Sequence, residues 1–165
     1  MNNKTKKIAV CALFCALSAV GAQIHLFGSI ALDSLPAFLA GMLLGGMPGA
    51  IVGSLGHLLS AFSSGFPLTL PLHLVIAVEM AVVCYLTGSV ARTKPLWLAA
   101  VTGFVLNALV SPLILLVWPG MGWSVCLSLL PMLVLGTAIN VLAATALAYA
   151  LKKPTSVWGG THDTP

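Results

Sequence analysis

Long apolar stretches, separated by short clusters of Gly, Pro and polar residues, set the pattern of this chain. A basic head, MNNKTKK at residues 1–7, and a polar tail, KKPTSVWGGTHDTP at residues 152–165, enclose a middle that is nearly uncharged. That middle of roughly 145 residues has room for about six membrane-crossing helices of about 20 to 25 residues each. Placing breaks at the Gly/Pro clusters predicts spans over 6–26, 34–46, 48–63, 71–91, 96–117 and 124–151. Spans two and three are short, separated only by Gly45-Gly46-Met47-Pro48-Gly49, and a re-entrant hairpin there would leave the orientation unchanged. Span six is expected to bend at Pro131, because proline removes a ladder hydrogen bond. The predicted fold is therefore an all-α integral membrane protein, a bundle of six transmembrane helices. Its membrane domain covers 6–151, between a head of residues 1–5 and a tail of 152–165.

Composition supports this reading. The 165 residues are 59% apolar and 6% charged, with a formal net charge of +4, against about 25% charged residues in a soluble domain. Mean hydropathy is +1.09. A soluble enzyme, a nucleic-acid binder and a disordered tail are all disfavoured, and scattered cations cannot form the clustered basic face that nucleic acid requires. The placement of the cations is more informative than their number. Lys4, Lys6 and Lys7 precede span one, Arg92 and Lys94 lie between spans four and five, and Lys152 and Lys153 follow span six. Connections near 27–33, 63–70 and 117–123 contain no Lys or Arg. Cations near span ends stay in the cytoplasm, so both termini are predicted to be cytoplasmic.

The head followed by an apolar run ending Ala19-Val20-Gly21-Ala22 also fits a secretory signal, but cleavage would leave five spans and reverse the charge logic. Span one is read as retained. Cys11, Cys15, Cys84 and Cys126 form no CxxC pair and are expected to act as small hydrophobes rather than as a disulfide framework or zinc site.

Few residues remain that can carry chemistry. In span one, Ala12, Ala16 and Ala19 share a helix face, and small faces let helices approach closely in a membrane. Packing within the chain and contact with a partner both satisfy that spacing. Asp33 and Glu79 are the carboxylates in or near the bilayer, where an ionisable group is costly and suggests function. Asp33 is read as an N-cap of span two, alone or combined with a ligand contact. Glu79 lies roughly 12 Å into span four at 1.5 Å per residue, too deep to snorkel easily, and is read as a ligand contact or polar partner. Gln23, His25, His57, His73, Asn107 and Asn140 are either interhelical hydrogen-bonding groups or the lining of a cavity open to the outside. Trp118 and Trp123 flank Pro119-Gly120 on the outer connection, as interfacial anchors or as stacking surfaces for an aromatic solute.

No GxxxxGK[ST], HExxH or GxSxG occurs. Three histidines and Glu79 fit no standard metal spacing. No cofactor, catalytic residue or metal is predicted.

Ala12 to Ala16, then Gly21-Ala22-Gln23-Ile24-His25, then Gly28-Ser29-Ile30-Ala31-Leu32-Asp33-Ser34-Leu35-Pro36-Ala37-Phe38-Leu39-Ala40-Gly41, and then Gly49-Ala50-Ile51-Val52-Gly53 resemble the substrate-binding S component of energy-coupling factor vitamin transporters. The resemblance is carried by the first half; beyond residue 90 it rests on span count and length. It implies a multi-pass protein of the prokaryotic plasma membrane that captures a solute from outside, partnered by a transmembrane coupling subunit and two ATPases. It implies too that Ala12 and Ala16 dock on the coupling subunit, and that Asp33, Glu79 and the polar groups named above surround the solute. The turn at Gly45–Gly49 departs from the family's frequent Gly-Pro. Met1-Asn2-Asn3-Lys4 lacks the histidine-bearing start of metal-specific relatives, which disfavours nickel or cobalt. Gly21 to Pro36 with Gly56-His57-Leu58-Leu59 and Gly65-Phe66-Pro67 resemble the subgroup assigned to α-ribazole, a cobalamin precursor. Riboflavin, thiamine and pantothenate remain alternative ligands. A stand-alone carrier or channel, or an intramembrane enzyme using Glu79 and histidine, is the rival of a different class.

Overall fold

The computed structural model describes residues 3–26 and 30–151. Within them the chain forms six helical rods. Helix α1 (Asn3–Gly21) is followed by a small antiparallel ribbon, β1 (His25–Leu26) paired with β2 (Ile30–Ala31) in the register His25↔Ala31. Then come α2 (Leu35–Leu44), α3 (Gly46–Ser63) and α4 (Leu70–Thr93). The fifth rod begins as α5 (Leu96–Phe104), passes through a π turn (Val105–Val110) and a 3-10 turn (Ser111–Leu113), and ends as α6 (Ile114–Val117). Helix α7 (Trp123–Leu151) is the last described element and stays helical through Pro131.

The expected spans agree with these rods, except that span one stops at Gly21 rather than near 26. There the chain reverses: the Gly21 carbonyl accepts the N–H groups of Ile24 and Leu32, which ties the helix end to the ribbon. Three rods are long and apolar enough to cross a membrane by length and composition, namely Leu70–Thr93, Leu96–Leu113 and Trp123–Leu151. Helix α2, with 10 residues, spans only about 15 Å.

The packing is inverted relative to a water-soluble protein. Large apolar side chains such as Leu13, Phe62, Val78, Trp97, Val117 and Leu142 point outward, whereas Ser18, Thr87, Thr137, Asn140 and Thr145 are buried. Lipid solvates the former at no cost. The buried hydroxyls of Thr87 and Thr145 donate to carbonyls one turn back, at 2.8 and 2.7 Å. Helix α2 is the hub, buried throughout residues 36–42 and in contact with α1, α3, α4 and α7.

Two glycines explain how α2, α3 and α4 fit together. Gly45 joins α2 to α3 alone, at φ 104°, a left-handed conformation that favours glycine. Arg92 of α4 clips this turn by donating from Nη2 to the Leu44 carbonyl at 3.0 Å. At Gly49 a Cβ would lie 2.7 Å from Gly41 Cα and 2.8 Å from the Cys84 carbonyl oxygen. The three helices therefore meet backbone to backbone.

Candidate functional site

Helices α4 and α7 stand apart toward the end of the bundle opposite Arg92, and the fifth rod bridges them. The gap is a pocket of about 210 Å³. Its polar groups are Glu79 from α4, Asn107 from the π turn and Ser111 from the 3-10 turn, facing apolar walls that include Ile76, Leu129 and Met132. The local sequence explains the geometry. Pro112 has no N–H to donate backward, so the α-helical ladder cannot continue unchanged through it. The rod widens to a π turn before the proline and tightens after it. Such turns recur at functional sites because they re-aim side chains without ending a helix.

The amide of Asn107 donates from Nδ2 to Thr137 Oγ1 on α7 at 2.7 Å, which fixes its orientation. The Ser111 hydroxyl is shielded from solvent and faces the half-buried Glu79 carboxyl, its hydrogen-bonding neighbour.

A second polar cluster ties together the ends of α1, α2, α3 and α4 remote from Arg92. His57 Nε2 and His73 Nδ1 are 3.1 Å apart, and Leu68 N–H donates to His73 Nε2 at 3.4 Å. A lone pair on His73 Nε2 puts its proton on Nδ1, so His73 donates to His57. Ser60 donates to Asp33 Oδ2 at 2.9 Å, and Ser34 to Oδ1 at 3.4 Å. Gln23 Nε2 donates to Ser63 Oγ at 3.1 Å. The connection strapped over this cluster holds two non-glycine residues at positive φ, Phe66 at 52° and Thr69 at 96°. Its Leu68 also lines the pocket. The histidine pair thus seats one wall of the cavity.

The N-cap role expected of Asp33 does not hold. Ser34 occupies the cap position of α2 without a side-chain cap bond, because the Asp33 carboxylate is turned toward Ser60 on α3. The first N–H of α2 is met from elsewhere: Leu35 donates to Asn140 Oδ1 on α7 at 2.8 Å. Asn140 Nδ2 donates to the Ala31 and Gly136 carbonyls, both at 2.9 Å. With 1% of its surface exposed, Asn140 clamps the 31–35 connection to α7. Trp118 and exposed Trp123 bracket the α6–α7 turn, outside the lining of the pocket. The His25 side chain lies outside the described residues. Among the described residues, no group of three or more His, Cys, Asp or Glu is placed to hold a metal.

Ser111 was not among the residues expected from sequence. Asn107 and Ser111 are four apart in an apolar span, a spacing that signals a shared polar face.

At the opposite end lies a larger groove of about 900 Å³, between α1 and α3. Buried Cys11 and Cys15 form part of its floor, and exposed Ala12 and Ala16 line it opposite Met47, Ile51 and Leu55. Lys7 and Arg92 border it. The small face of α1 is therefore not consumed by packing within the chain.

The family model of the ECF transporter substrate-specific component matches residues 6–156. The chain belongs to this family. No curated protein and no solved structure matches it. As an S component it is a membrane protein of a transporter family rather than an enzyme, and S components work with a transmembrane coupling subunit and ATPases.

Proposed function

We propose that this S component captures a small organic solute, with α-ribazole as the best candidate, from outside a prokaryotic plasma membrane, and delivers it through a coupling subunit driven by two ATPases. The observation that carries the reading is the pocket at the cation-poor end, where Glu79, Asn107 and Ser111 converge on an apolar cavity. Its volume of about 210 Å³ lies below the roughly 300 Å³ at which pockets enclose a whole drug-sized ligand. It suits one aromatic ring system with a polar arm at the mouth. The benzimidazole of α-ribazole would pack on Ile76, Leu129 and Met132, whose thioether favours aromatic neighbours, and its ribose hydroxyls would meet Glu79, Asn107 and Ser111. His73 acts through Leu68, while Gln23, Asp33 and His57 hold the roof. Trp118 and Trp123 belong to the entrance, and Asn140 positions the connection beside it. On this reading the rods form a six-helix membrane bundle with both termini cytoplasmic, the short α2 reaching only part of the way across, and Ala12 and Ala16 receive the coupling subunit.

The test is titration of the purified protein in detergent with α-ribazole, riboflavin, thiamine and pantothenate. Sub-micromolar binding of one is expected; binding of none would sink the proposal. Replacing Ala12 and Ala16 with Leu should abolish uptake by cells and leave solute binding by the isolated protein intact. Loss of both together would return those alanines to a packing role.

A further inference from the structure

We infer that the pocket selects against anions: its solute is neutral or cationic, donates hydrogen bonds, and carries no free carboxylate. This rests on the S-component reading above and narrows the ligand of that same site. Three observations carry it. The polar groups around the cavity are dominated by acceptors. Glu79 contributes a carboxyl group, and Asn107 has committed one N–H to Thr137 at 2.7 Å, which leaves its carbonyl oxygen and a single N–H for a solute. Ser111 adds a hydroxyl that faces this carboxyl.

The second observation is the missing counter-charge. No Lys or Arg lines this pocket; Lys7 and Arg92 border the groove at the other end of the bundle. The third is the remaining charge near the pocket's end, which is also negative: Asp33, paired with Ser60. A carboxylate moved into a low-dielectric site needs a cation or several donors to offset its lost hydration. Here it would find one amide N–H of Asn107, a serine hydroxyl already facing the Glu79 carboxyl, and that carboxyl itself. Protonation of Glu79 would add one donor and still supply no cation. An amine, a ring nitrogen bearing a proton or a ribose hydroxyl meets matching acceptors instead.

The experiment uses the full chain in detergent and pairs of probes that differ only at the carboxylate: pantothenate with pantothenol, biotin with biotinamide, nicotinate with nicotinamide. Thiamine and α-ribazole are added as cationic and neutral heterocycles. The tightest binder of the panel should carry no carboxylate, and in any pair that binds, the neutral member should be tighter by about tenfold or more. Glu79→Gln should shrink the preference for the cationic or neutral member over its anionic counterpart. That ratio is insensitive to the fraction of protein folded. A carboxylate as the tightest ligand, or a ratio unmoved by Glu79→Gln, would overturn the charge selection while leaving solute capture standing. Absence of binding by every probe would remove the capture function itself, and this inference with it.

Discussion

Asn140→Ala separates a residue that holds the architecture from one that touches the solute. The side chain joins three backbone groups on two segments: Leu35 N–H at 2.8 Å and the Ala31 and Gly136 carbonyls at 2.9 Å. Gly136 loses little, since its carbonyl also serves the α7 ladder. Leu35 N–H, at the first turn of α2, and the Ala31 carbonyl both lose this partner. Interhelical hydrogen bonds in membrane proteins average about 0.6 kcal/mol, so the two that leave α7 amount to about 1 kcal/mol. A buried group left without a partner costs about 1 to 3 kcal/mol, which raises the expected loss to about 2 to 4 kcal/mol. For a chain of this size that lowers the melting temperature by at least about 4 °C. All four cysteines are buried, so a thiol-reactive fluorophore during a thermal ramp in detergent reports the transition. Solute affinity well below that transition should change by less than about threefold, under 0.7 kcal/mol. An unchanged melting temperature would refute the clamp. A large loss of affinity with unchanged melting would instead put Asn140 in contact with the solute.

Two further outcomes follow from geometry. Gly49→Ala forces a methyl group against backbone atoms of α2 and α4 and should cost about 1 to 3 kcal/mol, while Gly122→Ala, where an added Cβ meets nothing within 4 Å, should melt like the parent; equal melting of the two would contradict the close packing. Ser64→Cys, on the exposed connection after α3, should react with a membrane-impermeant maleimide on intact cells, and Lys94→Cys only after permeabilisation; the reverse pattern would invert the proposed orientation.

Rod positions were legible because membrane helices need long apolar runs, and this chain punctuates them with Gly and Pro at nearly every turn. The end of α1 was not, since the stop at Gly21 depends on a ribbon formed by residues that themselves read as apolar. Glu79 and Asn107 stood out as polar groups inside apolar spans, and the structure brings them to one pocket. His57 and His73 were visible as residues but not as a pair, because their contact depends on how α3 and α4 cross. The cap assigned to Asp33 failed for a related reason. Local sequence offered a suitable side chain one position early, and the first N–H of α2 was met by an amide from a helix 105 residues away. Ser111 went unread because a lone serine before proline ordinarily marks a break rather than a ligand group.

The glycine contacts that seat α3 on α2 and α4 also divide the molecule mechanically. Helices in backbone contact have no side-chain layer to rearrange, so α2, α3 and α4 move as one plate. The alanine-lined groove uses α3 of that plate. The solute pocket lies on its opposite margin, between α4 and the rods that follow. On the proposed reading a solute would therefore sit at a seam, and the side chain that ties α7 across it to the 31–35 connection is Asn140.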